Sequence, residues 1–255
     1  NSSKENRFLG EANLAVMLSK EESWRRRWIE AAWGEVEGSL HNVSPLSLVT
    51  PTPELIDLIN NSFRKSRALD HGDTAPTCCL WSAVDREGNI FVTKEYYKAD
   101  ALISKHRENI SFLSKGEYYD ASVADPSIFY KTAQKHGGKW SVADEYSDVN
   151  FLPLQTAIFW KPADNNELGT RNRINEYLAV DPEHVHPITK EKGAPRVYFL
   201  VRTSDYPMGC FEILKQLRSQ KREKVAEGVY SDKRDDSVED HAYDAFRYKI
   251  AARPS

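Results

Sequence analysis

The residues best suited to chemistry lie near the end of the sequence. Residues 235–248 read DDSVEDHAYDAFRY, in which Asp236, Glu239, Asp240 and Asp244 recur at helical spacings beside His241. Ala242, Ala245, Phe246 and Tyr248 supply an apolar side. On a helix, Asp240 and Asp244 stand one turn apart on one face. Like charges so placed repel, and no Lys or Arg falls between Asp235 and Phe246 to relieve them. A bound cation is the simplest remedy. Acidic residues also favour the positive end of a helix dipole, which accounts for Asp235, Asp236 and Glu239 without any ligand. Asp240 and Asp244 lie further in, at the expected edge of the core, and are the candidates.

Two further acids stand where strands should end. Asp70 closes the apolar run Ala68-Leu69 just before His71-Gly72, and Asp125 closes residues 118–124 just before Pro126, which stops a strand. A helix at 99–114 between the two strands makes a β-α-β crossover, so they should run parallel. Acids from three separate stretches would then converge. Carboxylate oxygens suit Mg²⁺ or Mn²⁺. Two such ions roughly 3.5 to 4 Å apart could clamp a phosphodiester, activate water on one side and stabilise the leaving oxygen on the other. No Ser/His/Asp or Cys/His arrangement competes with this reading. His106 falls on an apolar stripe and reads as a packing residue. His184 and His186 alternate within 182–195, but the flanking prolines favour a surface loop over a metal pair.

Composition sets the frame. The 255 residues, 40% of them apolar, suffice for one large domain or one domain with an accessory segment. No run is long enough to span a bilayer and no signal peptide is evident, so a soluble, intracellular protein with no membrane partner is expected. Cys78, Cys79 and Cys210 have no zinc spacing and fit a reducing compartment. A net charge of −3 argues against a surface coated with basic residues for nucleic acid. Local basic runs remain, including a predicted amphipathic helix at 210–226 carrying Lys215, Arg218, Lys221 and Arg222, which is either a solvated face or a partner for a phosphate backbone. There is no Walker-type phosphate loop.

The elements that must position the acids follow in order. Residues 1–60 read as a helical accessory segment, with Trp24, Trp28 and Trp33 as a packing face and a short helix at 54–60. Three consecutive strands at 67–70, 78–84 and 90–97 are separated by turn residues. After the crossover and the strand ending at Asp125 come a helix at 169–178, an irregular insertion at 182–195, a strand at 196–201 and the two last helices. This order predicts an α/β fold: a mixed central sheet flanked by helices on both faces, its first and fourth strands adjacent.

Six stretches resemble the nuclease domain of the tailed-bacteriophage terminase large subunit: LDHGDTAPT at 69–77, DREGNIFVTKEYY at 85–97, VADPSIF at 123–129, KPADNNELGTRNRINEYL at 161–178, RVYFLV at 196–201 and DHAYDAFRY at 240–248. The resemblance covers about residues 60–250, and DHxxDAxRY together with ADPS carries most of it. Residues 8–48, with their WxxAAWGEVEG run, resemble the segment that links the packaging ATPase to the nuclease. The resemblance implies an RNase H-like fold over residues 61–255 and a Mg²⁺- or Mn²⁺-dependent endonuclease that cuts concatemeric double-stranded viral DNA in the host cytoplasm. It implies a terminase small subunit, a portal protein and a packaging ATPase domain as partners. Asp70 and Asp125 match its first two metal-binding acids. Asp244 is the favoured third, assisted by Asp240 or His241. Two other readings remain open: another RNase H-like nuclease such as a resolvase, and a catalytically silent DNA-binding or docking module of a packaging motor.

Overall fold

The computed structural model describes residues 38–135 and 137–252. The tryptophans at 24, 28 and 33, and the rest of residues 1–37, lie outside the described residues. After the short strand β1 (Leu48–Val49) and helix α1 (Pro53–Ser62) come β2 (Arg64–Asp70), β3 (Thr77–Val84) and β4 (Ile90–Lys98). Helix α2 (Ile103–Leu113) leads to β5 (Ala121–Ala124), the small hairpin β6 (Ala133–Lys135) and β7 (Gly138–Trp140), α3 (Val142–Ser147) and β8 (Lys161–Pro162). Helix α4 (Glu167–Leu178), the hairpin β9 (Asp181–Val185) and β10 (Lys192–Ala194), and β11 (Val197–Leu200) follow. The described chain ends with α5 (Glu212–Ser219), the hairpin β12 (Arg222–Ala226) and β13 (Val229–Arg234), and α6 (His241–Ala251).

Seven strands form one mixed sheet in the order β1-β11-β4-β3-β2-β5-β8. β2, β3 and β4 are antiparallel neighbours, whereas β2 pairs with β5 in parallel, as the crossover through α2 requires. β3 is covered on both faces, so its sequence TCCLWSAV is buried continuously from Thr77 to Ala83 rather than at alternate residues, and the pleat sorts its residues. Cys78 and Leu80 join the core beneath α4, α5 and α6, with Ile174, Leu214 and Phe246. Cys79 and Trp81 join the opposite core with Ile110 of α2 and Tyr146 of α3, and Ala83 meets Leu55 and Ile59 of α1. Helices thus flank both faces.

Several local expectations give way to tertiary pairing. Residues 48–60, placed with the accessory segment in the sequence reading, include β1, which pairs in parallel with β11 at the sheet edge, and most of α1, which joins a core cluster. The helix expected over 210–226 stops at Ser219, where Gln220 turns extended. Residues 222–226 then pair with 229–234 through a turn at Gly228, whose φ is +68°. The last helix begins at His241 rather than Asp235. The insertion at 182–195 is a hairpin, and its two histidines are buried rather than on a surface loop. They serve different partners: His184 bonds Asn89 Oδ1 at 2.8 Å, and His186 bonds the Leu46 carbonyl at 3.1 Å.

Candidate active site

β2 and β5 are in register through Leu69 and Ala124, and the next residue of each strand is an aspartate. The Asp125 N–H donates to the Leu69 carbonyl at 3.1 Å, which keeps the strands together to their last residue. Asp70 and Asp125 therefore leave the sheet side by side. Beyond Asp70 the backbone folds back so tightly that a Cβ on Gly72 would lie 2.3 Å from the Ala75 carbonyl oxygen. Beyond Asp125, Pro126 has no N–H for the sheet and opens a 3₁₀ turn (Pro126–Phe129), which Asp125 caps by accepting from Ser127 N–H at 2.8 Å.

Helix α6 packs across β2, β3 and β5 and brings the remaining candidates. Its first N–H groups need acceptors, and the buried Gln216 of α5 supplies one from outside: Oε1 accepts from Ala242 N–H at 2.6 Å and from Tyr243 N–H at 3.1 Å. The Asp240 side chain, at the N-cap position, makes no capping bond and is left for other work. Asp235 closes on Ser237 and Lys221, and Glu239 on Tyr97 and Lys215, so both have partners away from Asp244.

The cluster is electrostatically tense. Asp70, 7% exposed, has its carboxyl pushed up to about 6 by burial; the hydrogen bond from His241 opposes this, and the charges of Asp244 and Asp125 add to it. His241 Nδ1 lies 2.9 Å from Asp70 Oδ2, and that bond raises the imidazole pKa. The buried Tyr248 phenol feels all three acids: burial raises its pKa first, then the charges of Asp125, Asp244 and Asp70. The charges of Asp125 and Asp244 thus reach Asp70, to which His241 is bonded.

The sequence reading missed how Asp240 and Asp244 are relieved. Arg234, one residue ahead of the acidic stretch on β13, places Nη2 2.8 Å from Asp240 Oδ2 and Nη1 2.9 Å from Asp244 Oδ1. Arg247, 4% exposed, adds its Nε to the same Asp244 Oδ1 at 3.1 Å and its Nη2 to Asn165 Oδ1 at 3.0 Å. Guanidinium groups, rather than a cation alone, balance these two acids. Arg247 was legible as an i,i+3 partner within DHxxDAxRY; Arg234 carried no local signal.

Among the described residues, no three His, Cys, Asp or Glu side chains close up into a ready metal-holding group. The donors nevertheless fit Mg²⁺ or Mn²⁺ in type and charge. Asp70 is held through Oδ2, Asp125 through Oδ1 and Asp244 through Oδ1, and among the described residues no hydrogen bond reaches the second oxygen of any of the three. A carboxylate anchored by one oxygen and open at the other is how an outer shell orients a ligand.

The basic residues expected to meet DNA do not form one helix face. Lys215 on α5 pairs with Glu212 and Glu239; Lys221 pairs with Asp235 and Arg222 with Asp232, both off the helix. Arg218 is half-buried on α5, and burial lowers its guanidinium pKa to about 10. Among the described residues no helix is long and apolar enough to cross a membrane.

No protein-family model matches the sequence, and no curated protein matches it significantly. Solved structures do match. The large terminase of a thermophilic bacteriophage superposes with a TM-score of 0.54 at 15% identity, over 97% of this chain and 53% of that one. The P22 large terminase nuclease domain gives a TM-score of 0.55 at 11% identity, over 84% of this chain and 91% of that one. The chain thus spans about half the length of the thermophilic phage protein and most of the P22 domain. At these identities the likeness is one of fold, the RNase H-like α/β fold of terminase nuclease domains.

Proposed function

We propose that this chain is a divalent-metal-dependent endonuclease, the nuclease part of a terminase large subunit that cuts concatemeric double-stranded viral DNA during packaging. One observation carries the reading: three acids from β2, β5 and α6, on a fold shared with terminase nuclease domains, each held by one oxygen and open at the other. Asp70, Asp125 and Asp244 would hold Mg²⁺ or Mn²⁺, in keeping with two ions. Bound there, the metal would supply Lewis-acid activation of water and charge stabilisation at the scissile phosphate. His241 keeps Nδ1 on Asp70 and so leaves Nε2 as a ligand or proton acceptor. A terminase small subunit, a portal and a packaging ATPase domain are the corresponding partners, in the host cytoplasm.

The arginine pairing of Asp240 and Asp244 gives some weight to a catalytically silent DNA-docking module. Supercoiled plasmid incubated with the purified chain and Mn²⁺, Mg²⁺ or EDTA separates the two readings. Metal-dependent nicking and linearisation, absent in Asp125→Ala, is expected. Salt-sensitive DNA binding with no cleavage under either metal would leave the docking module standing.

A further inference from the structure

The cluster contains a cation, Arg234, that the proposed chemistry does not use. Arg234 closes the hairpin of β12 and β13, and its side chain is 10% exposed although β12 is open to solvent. It is fixed from several sides. Its guanidinium lies 5.3 Å from the centroid of the Tyr243 ring, and its Nε is 3.8 Å from Glu167. The backbone on either side is anchored too: the Asp232 carbonyl accepts from Arg171 Nη1 at 2.7 Å, and Asp235 N–H donates to the Lys221 carbonyl at 3.0 Å.

From that fixed seat the two terminal nitrogens reach different acids. Nη2 takes Asp240 Oδ2 and Nη1 takes Asp244 Oδ1, the oxygen that Arg247 also holds. Both guanidinium groups crowd onto one oxygen of Asp244, and among the described residues no hydrogen bond is made to Oδ2. Asp240 is tied to Arg234 by a 2.8 Å contact of its Oδ2 with Nη2.

We propose that Arg234 is a positioning residue that fixes the Asp244 carboxylate for divalent-metal binding, and that Asp240 is the counter-anchor of Arg234 rather than a metal ligand. This rests on the nuclease reading and sharpens it, since it selects Asp244 over Asp240. A planar fork suits this seat, because a guanidinium spans two carboxylates where one ammonium reaches only one well.

Calorimetric titration of Mn²⁺ into wild type, Arg234→Gln, Arg234→Lys, Asp240→Asn and Asp244→Asn tests it, with steady-state cleavage alongside and circular dichroism confirming the fold. Arg234→Gln should weaken Mn²⁺ binding about 10- to 100-fold, the range for loss of an orienting partner. Arg234→Lys should recover part of that. Asp240→Asn should bind Mn²⁺ more tightly than Asp244→Asn by at least about tenfold, and in its background Arg234→Gln should cost less than it does alone. The cleavage defect of Arg234→Gln should fall on kcat at saturating Mn²⁺ and leave KM for DNA little changed. Tighter Mn²⁺ binding in Arg234→Gln would make the guanidinium a competitor of the metal and overturn the proposal. Equal loss in Asp240→Asn and Asp244→Asn would make Asp240 a ligand and overturn it as well. Absence of Mn²⁺ binding in the wild type would defeat the nuclease reading together with this one, whereas wild-type binding with Arg234→Gln unaffected would defeat this one alone.

Discussion

Asp70 concentrates the electrostatic cost of the site. Its carboxyl holds a proton up to about pH 6, against 3.8 for the free group. Between those values the folded chain binds more protons than the unfolded one, so metal-free stability falls as pH rises through that window and stays low above it. His241 acts in the same direction. Its pKa is raised chiefly by the bond to Asp70, so its stabilisation is full below the usual histidine value of 6.5 and is lost as pH climbs through the higher folded value. Asp70→Asn keeps an acceptor for His241 and removes the buried charge. Urea denaturation without metal should therefore show this variant more stable than wild type at about pH 7.5, by roughly 1–3 kcal/mol, with the difference shrinking toward about pH 4. Equal stability at both pH values would mean that the carboxylate is not strained. The need for ionised Asp70 should also make wild type bind Mn²⁺ progressively worse below about pH 6, a trend that Asp70→Asn should abolish together with activity.

At the scale of elements, two helices are capped by side chains from elsewhere, and both caps bear on the site. Glu95 of β4, its side chain wholly buried, accepts from Glu212 and Ile213 N–H at 3.0 and 2.7 Å and receives Arg202 at 3.1 Å, which seats α5. α5 in turn carries Gln216, which seats α6. The chain of caps fixes where Asp244 stands relative to Asp70. Gln216→Leu would leave two buried N–H groups without an acceptor, costing about 2–4 kcal/mol. Hydrogen exchange at Ala242 and Tyr243 should accelerate in that variant while β3 amides keep their order of protection. Unchanged exchange at the start of α6 would show that the cap is dispensable.

At the scale of the whole molecule, the proposed function makes the folded chain, and not the unfolded one, the form that would bind divalent cations. Mn²⁺ at about 100 times its Kd should add about 2.7 kcal/mol to stability, which for a domain of this size raises Tm by roughly 5–10 °C. Asp125→Ala should lose that increment, while its metal-free stability should fall only by the lost cap to Ser127, about 0.5–2 kcal/mol, because Asp125 is not among the buried residues. An equal Mn²⁺ shift in both proteins would place the binding elsewhere.

Local sterics settled the element types around the site and the ends of its strands. The apolar run of β3, the proline after Asp125 and the glycine that follows His71 act over a few residues and leave little choice. The crossover through α2 then made β2 and β5 parallel, and two strand-end acids became neighbours. Folding in three dimensions settled what no short window encodes. β1 entered the sheet because β11 offered an edge, and residues 222–226 became a strand because 229–234 lay ready to pair, although their basic spacing also suits a helix. The same pairing delivered Arg234 to Asp240 and Asp244. Repulsion between those acids was legible in the sequence, and so was Arg247 beside Asp244; Arg234, the cation that joins both acids, was not, because a charge from a neighbouring element is set by how the chain folds back and not by spacing along it.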